Sequence, residues 1–214
     1  IVAVLKRRNT RVFDDICNSL DAFLGKSVLR IDDTVSRWIA LSGRTQVEFP
    51  EISAGQLWDT LVASGVDYME MGYKADKKIF APTDYGPWKY CDEDDMRRIV
   101  GENDSPLKLA AMTDAEKTDY HTDVLPKEQS VLDLIRVATY VHQIPIAVDM
   151  INDAHDKGYE TCLNVMSVSV VQEHELDAAL ELFAQSEAFA IYLVDSFGHL
   201  YSEQIQYLIR KYMQ

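Results

Sequence analysis

Six short apolar segments recur along the chain, and each is followed by polar or turn residues and then by a helical pattern. They lie at 28–32, 66–73, 107–113, 131–139, 161–169 and 189–195, with starts 24 to 41 residues apart. This interval suits a β-strand together with its crossover helix. Parallel strands that are buried on both faces are continuously apolar, as these segments are. The sequence therefore predicts an α/β fold with a parallel sheet.

The segments between these strands carry helix signals of their own. Acidic residues at 92–95 would lie favourably at the positive end of a helix dipole, and Pro145 suits the first turn of another helix. Apolar residues at helical spacing mark two further helices at 171–183 and 202–212. The strands would then be joined by helical crossovers.

Six β/α units that run in one direction can form an open doubly wound sheet or most of an eight-stranded barrel. No glycine-rich nucleotide-binding loop follows any of the strands, which favours the barrel. We therefore predict a TIM-type (β/α)8 barrel over residues 28–214 with about six units present. An N-terminal amphipathic helix, with its apolar residues at 10–24, would occupy residues 1–27.

Composition restricts the partners and the compartment of the protein. The 214 residues include 21 basic and 35 acidic side chains, a net charge of -14, which repels nucleic-acid phosphates and anionic lipid. Cys17, Cys91 and Cys162 lack metal-ligand spacing and are expected to be reduced thiols. No apolar stretch reaches the roughly 20 residues that span a bilayer. We expect an acidic cytoplasmic protein that binds neither nucleic acid nor membrane.

Polar residues gather where the predicted strands end, at the edge that carries the chemistry of β/α barrels. They include Asp32, Asp33, Thr34, Arg37, Glu70, Tyr73, Asp114, Arg136, Thr139, Asn164, Ser167, Asp195, Ser196 and His199. Carboxylates beside an arginine could hold a divalent metal ion and a substrate carboxylate. Asp32 and Asp33 could equally cap a turn.

Glu70 lies inside an apolar strand, where an unpaired charge would be strongly unfavourable. It must therefore pair, with Arg37 or Arg136, and the pair can be structural or functional. Tyr85, Trp88 and Tyr90 flank Gly86 and Pro87 in the loop that follows. These aromatic residues could close over a pocket or pack against a helix.

Three stretches resemble a known group of enzymes. Residues 135–139 (Ile-Arg-Val-Ala-Thr), 192–196 (Tyr-Leu-Val-Asp-Ser) and the strand around Glu70 are similar to segments of the metal-dependent aldolases and Claisen-type lyases. This TIM-barrel family includes 4-hydroxy-2-oxovalerate aldolase, the most similar member, and 3-hydroxy-3-methylglutaryl-CoA lyase. The resemblance implies cleavage or formation of a carbon–carbon bond next to a carbonyl, in a 2-oxo acid or an acyl thioester.

The resemblance also implies roles for individual residues. Arg37 would anchor the substrate and stabilise the enolate, and Glu70 would hold that arginine or a water molecule. Substrate would be bound by Ser196, Arg136 and Thr139. The family implies Mn²⁺ or Mg²⁺.

The metal ligands of this chain stay unassigned, because Trp38 stands where the family has a metal-binding aspartate. Asp33 and Asp195 are the candidate ligands. The family also has a His-x-His pair beyond the counterpart of Asp195, so the hypothesis predicts a longer parent chain that supplies it. The alternative is a catalytically silent barrel used as a binding or assembly module. A homo-oligomer that covers open strand edges is a further possibility.

Overall fold

The computed structural model describes residues 2–6, 55, 58–59, 61–63 and 67–213. Its centre is a six-stranded sheet with the strand order β1-β6-β5-β4-β3-β2. The strands are β1 (Val2–Lys6), β2 (Tyr68–Tyr73), β3 (Lys108–Asp114), β4 (Leu134–Thr139), β5 (Glu160–Val165) and β6 (Ala190–Val194). Strands β2 to β6 are parallel, and β1 pairs antiparallel with β6.

Five of the six predicted strands are confirmed, with ends that differ by a few residues, and they form the parallel part of the sheet. The predicted strand at 28–32, the helix at 10–24 and the boundary after residue 27 lie outside the described residues. Residues 2–6 belong to the segment for which we expected a helix, yet they form a strand. Their apolar run pairs with the edge of β6, a tertiary contact that helical spacing alone does not reveal.

The described strands form an open sheet with β1 at one edge and β2 at the other. The α/β class with a parallel sheet is therefore confirmed. Closure into a TIM-type barrel of about six units stays a prediction, because no pairing between the two edge strands is described.

Five helices are described after β2. They are α1 (Glu93–Val100), α2 (Tyr120–Asp123), α3 (Ile144–Asp156), α4 (Glu173–Phe183) and α5 (Ser202–Tyr212). The acidic run at 92–95 indeed begins α1, and Pro145 lies in the first turn of α3. The described part contains no helix long and apolar enough to cross a bilayer.

One face of the sheet packs against the helices. Alternate strand residues such as Leu109, Ile135 and Leu163 are buried there together with Ile151 of α3 and Phe183 of α4. Side chains alternate between the two faces of a strand, so their neighbours in sequence point to the opposite face. That opposite face carries the candidate site.

A bulge in β2 determines which of its side chains reach the opposite face. Glu70 pairs with Ala110, but Gly72 pairs with Ala111 and Tyr73 with Met112, so the register shifts between Glu70 and Gly72. Ala110 and Met112 are two residues apart and share a face. The extra residue therefore brings Tyr73 to the same face as Glu70, although residues three positions apart lie on opposite faces of a regular strand.

Candidate active site

The sheet face opposite the helices is polar, and we call it the polar face. Strand register places the following side chains on it: Tyr68, Glu70, Tyr73, Lys108, Ala110, Met112, Asp114, Leu134, Arg136, Ala138, Glu160, Cys162, Asn164, Ala190, Tyr192 and Val194. Ala110, Leu134, Cys162 and Ala190 form a small apolar cluster among the charged groups. Glu70 and Arg136 are largely shielded from water on this face, whereas the side chains of Lys108 and Glu160 are 44% and 33% exposed.

Glu70 and Arg136 form an ion pair across the polar face. Arg136 Nε donates to Glu70 Oε2 and Arg136 Nη2 donates to Glu70 Oε1, both at 2.6 Å. The two side chains are only 14% and 16% exposed. Two parallel bonds fix the plane of the guanidinium as well as its position. Of the two partners that the sequence left open for Glu70, the structure shows Arg136.

The surroundings of Arg136 explain its charge state. Burial acts to lower the pKa of Arg136, but the charge and the hydrogen bonds of Glu70 act against it and the pKa is raised overall. The ring of Tyr192 lies beside the guanidinium, with 5.5 Å between the ring centroid and Arg136 Cζ. Burial raises the pKa of Tyr192, so this phenol stays protonated. Arg136 is thus a permanent cation on a poorly solvated surface.

Two further polar groups lie beside this pair on β5. Burial raises the pKa of the Cys162 thiol to about 11, which keeps it protonated and a poor nucleophile. Asn164 is buried, and its Oδ1 has no hydrogen-bond partner among the described residues. An unpaired buried carbonyl oxygen is unfavourable unless a ligand or water donates to it.

Asp114 ends β3 at the carboxyl edge of the sheet. Burial raises the pKa of Asp114, although the nearby charges of Lys117, Lys89 and Arg136 act to lower it. The Lys117 Nζ lies 3.9 Å from Asp114 Oδ2. A carboxyl group with a raised pKa beside a bound substrate can take up and return a proton.

The amino-terminal end of the polar face has a different character. Tyr68 donates to Glu160 Oε2 at 2.6 Å, and the ammonium of Lys108 donates to Glu160 Oε1. Burial raises the pKa of Tyr68 to about 12, with Glu160 adding to the effect. The three groups satisfy each other, so this end of the sheet is a structural layer beneath the site.

Among the predicted substrate-binding residues, Thr139 does not join Arg136. It follows Arg136 by three positions and therefore lies on the helix-packed face, fully buried. Its Oγ1 donates to the Tyr140 carbonyl at 3.0 Å. The sequence motif did not reveal this separation, because the face of each residue depends on the strand register.

Ser196 and Asp195 hold the turn that follows β6. Ser196 Oγ accepts a hydrogen bond from the Ser167 backbone N–H at 2.8 Å, and Asp195 Oδ2 accepts one from Leu200 N–H at 2.8 Å. Backbone N–H donors, led by that of Leu200, lower the pKa of Asp195. These contacts fix the loop at the carboxyl edge, where Ser196 remains exposed to solvent.

The described residues do not fit the metal site that the family implies. Within residues 67–213 and the shorter described stretches, no group of three or more His, Cys, Asp or Glu side chains could hold an ion. The carboxylate of Asp195 is directed at backbone N–H groups of its own loop. Arg37 and Asp33 lie outside the described residues. The described residues alone therefore do not provide a metal site.

Two residues of this site were not identified from the sequence. In the sequence Tyr192 lies within an apolar strand. Because Ala190 and Tyr192 are two residues apart in β6, the alternation of side chains indicates that they share a face, and the register shows that this is the polar face. Lys89 lies in a loop, where no periodicity indicates its position. Of the loop aromatics, Trp88 and Tyr90 are buried in the structure, which supports packing for these two.

No family model and no curated protein matches this chain. One solved structure, the crystal structure of the N-terminal domain of a candidate aldolase from Bacteroides vulgatus, superposes with a TM-score of 0.59 at 22% identity. The match covers 78% of this chain and 54% of that one, so the chain spans about half the length of this neighbour. Likeness at this identity shows the fold alone. The fold of this chain is thus similar to that of this neighbour, and its described helices lie on one face of an α/β sheet.

Proposed function

We propose that this chain is an aldolase-like domain that cleaves or forms a carbon–carbon bond next to the carbonyl of a small 2-oxo acid. The observation that carries the proposal is the Glu70–Arg136 pair, which lies on the polar face beside Asp114 and Tyr192. The aldolase-like fold supports it. Membership of the lyase family with which we compared the sequence is part of the same proposal, as are the family roles of Arg37 and Ser196.

Arg136 is the group that would bind the substrate carboxylate. A guanidinium has five N–H donors, and Glu70 accepts from two nitrogen atoms of Arg136. No described residue accepts from the remaining donors, which can bind an anion on the polar face. Glu70 is then a positioning residue, because it orients the guanidinium without contacting the substrate.

Asp114 is suited to proton transfer. In the cleavage direction a base takes the proton of the substrate hydroxyl, and the carbon–carbon bond breaks to release an aldehyde. The bonding electrons pass to the oxo-acid fragment as an enolate, which then takes a proton at carbon. The raised pKa of Asp114 favours such exchange closer to neutral pH than an ordinary carboxylate would. The fixed cation of Arg136 stabilises the anionic fragment.

The test compares cleavage of 4-hydroxy-2-oxo acids by the wild-type chain, Arg136→Met and Arg136→Lys, with release of the 2-oxo acid as the readout. Loss of one preorganised donor group typically lowers the rate by about 10²-fold or more. We expect that loss for Arg136→Met and partial activity for Arg136→Lys, which keeps the charge without the bidentate geometry. Arg210→Met on exposed α5 is the matched control.

Two results would contradict the proposal. One is an inactive wild-type chain over the whole substrate panel, and the other is unchanged cleavage in Arg136→Met. Circular dichroism of each variant separates loss of activity from loss of fold.

A second candidate function is a binding module without catalysis. A groove of about 460 Å³ between α3 and α4, away from the polar face, favours it. Tyr140, Val170 and Leu182 line this groove and are large exposed apolar residues. The Glu70–Arg136 pair favours the enzyme, because a module that docks through the groove has no use for a charge pair on the other side of the sheet.

A further inference from the structure

Lys89 is brought to the carboxyl edge of the sheet by the loop between β2 and α1. It ends the short 3₁₀ turn Pro87–Lys89, and its carbonyl accepts a hydrogen bond from Ala75 N–H at 3.1 Å. The loop approaches β2 so closely that a Cβ on Gly72 would lie 2.1 Å from the Trp88 carbonyl oxygen. Only glycine permits this contact, so the bulge in β2 also fixes the position of Lys89.

The amine of Lys89 is enclosed by aromatic rings. Its Nζ lies 4.2 Å from the ring centroid of Phe80, 4.5 Å from that of Tyr73 and 5.6 Å from that of Tyr85. The residue is 8% exposed. Within the described part of the chain no carboxylate forms a salt bridge with this amine. Asp114 is nevertheless close enough for its charge to act on Lys89.

This environment alters the chemistry of the amine. Ring faces attract a cation, which favours the protonated form. Burial favours the neutral form and lowers the pKa of Lys89, although the charge of Asp114 acts to raise it. A neutral amine is a nucleophile towards carbonyl carbon, whereas an ammonium ion is not. An apolar side chain would fill the same space without the desolvation penalty of an amine.

Lys89 and Arg136 both lie close enough to Asp114 for their charges to lower its pKa. Tyr73, whose ring contacts the amine, pairs with Met112, and Met112 pairs with Arg136. Neighbouring strands are about 4.8 Å apart, so the backbones of Tyr73 and Arg136 are separated by about 10 Å. The long side chains of Lys89 and Arg136 and a small oxo acid together span such a gap.

We propose that Lys89 forms an imine with the keto group of a 2-oxo acid whose carboxylate is bound by Arg136. The inference rests on the proposed function and adds the covalent step to it. The amine nitrogen attacks the carbonyl carbon to form a C–N bond. The carbonyl oxygen takes up two protons and leaves as water, and the product is a protonated imine. Asp114 is placed to supply and recover a proton in this step.

The imine provides the electron sink for bond cleavage. A base takes the proton of the 4-hydroxyl group, the carbon–carbon bond breaks to release an aldehyde, and the bonding electrons pass through the adjacent carbon to the cationic nitrogen to give a neutral enamine. The enamine takes a proton at carbon to become an imine again. Water then adds to that imine, the C–N bond breaks, and the 2-oxo acid and the free amine of Lys89 are regenerated.

The experiment traps the imine by reduction. The full chain is incubated with pyruvate and sodium cyanoborohydride, and the adduct is located by intact mass and peptide mapping. We expect one adduct per chain, on Lys89. Lys89→Arg should abolish it, because this variant keeps the cation in the aromatic cage but has no nucleophilic amine. Lys89→Met provides a second variant with an uncharged side chain.

Controls distinguish this site from general lysine chemistry. Lys78→Met removes a lysine whose side chain is 82% exposed, and it should leave the adduct intact. Arg136→Met should reduce trapping by at least 10-fold, because the carboxylate loses its anchor. Labelling of Lys78 and other exposed lysines at the same rate as Lys89 would overturn the inference.

The outcomes separate this inference from the proposed function. Cleavage of 4-hydroxy-2-oxo acids that persists in Lys89→Arg, with no trapped adduct, would overturn the imine and leave the aldolase proposal standing. Trapping on Lys89 without any cleavage would support the amine as an oxo-acid binding group and contradict the aldolase proposal.

Discussion

The two faces of the sheet are both shielded from water, but they are held together by different forces. On the helix-packed face, residues such as Leu163 and Phe183 are buried among other apolar groups. On the polar face, Glu70 and Arg136 are held by hydrogen bonds to each other, and Glu160 accepts a hydrogen bond from Tyr68. Packing on the first face is non-directional and tolerates substitutions of similar volume, whereas each charge on the second requires one particular partner. The difference indicates that the first face provides stability, and we place the proposed chemistry on the second.

Phe183→Ala should produce the largest loss of stability, about 4 kcal/mol in the free energy of unfolding. The ring is fully buried between α4 and the sheet, so its removal leaves a cavity. Denaturant unfolding measures the loss. Leu182→Ala, at the neighbouring and exposed position, should change stability by less than about 1 kcal/mol. Equal losses in the two variants would show that α4 does not pack through Phe183.

Glu70→Gln should lower the free energy of unfolding by about 3 kcal/mol, because it leaves the buried guanidinium of Arg136 without its counter-charge. The double variant Glu70→Leu with Arg136→Met should lose less than Glu70→Gln alone, since both charges are removed together. A double-mutant cycle from urea unfolding measures the coupling. The exposed Asp95–Arg98 pair is the control, and Asp95→Asn should cost less than about 1 kcal/mol. A coupling near zero would argue that the polar face is well hydrated.

Asp114→Asn should have the smallest effect on the free energy of unfolding. At neutral pH it should raise this free energy, whereas the preceding variants lower it. The pKa of Asp114 is raised on folding, so the folded state disfavours its charged form. The contribution of Asp114 to the free energy of unfolding is therefore fully present below the ordinary aspartate pKa, and it is lost as pH rises through the raised value. Asp114→Asn should consequently stabilise the chain at neutral pH and not at acidic pH. Unfolding midpoints across pH measure this, with exposed Asp156→Asn as the control. A destabilised Asp114→Asn at neutral pH would contradict the assignment.

Much of the architecture was predictable because hydrophobic periodicity is a local property. The strands at 66–73, 107–113 and 189–195 and the helices that begin near 92 and 202 were found from spacing and end signals alone. The strand Val2–Lys6 was not predicted, because an edge strand forms only when its partner β6 is present. Closure of a barrel depends on pairing between distant strands, and spacing cannot determine that.

The candidate site was predictable only in part. That Glu70 must pair followed from its charge inside an apolar strand, but the choice of Arg136 required the register of β2, β3 and β4. Asp195 stays a candidate metal ligand from the sequence: its Oδ2 accepts from Leu200 N–H, and its buried Oδ1 has no hydrogen-bond partner among the described residues. Thr139 and Arg136 share a sequence motif and lie on opposite faces of β4.

The sequence by itself determined the α/β class, the parallel strands and the need for a partner at Glu70. These follow from local patterns and from the free energy of burying a charge. Only the tertiary structure placed Arg136 opposite Glu70, moved Tyr73 to the polar face through the bulge, and set Lys89 among three rings. Each of these contacts joins residues from different elements. Their distances depend on strand register and loop path, which are fixed by the packing of the whole domain.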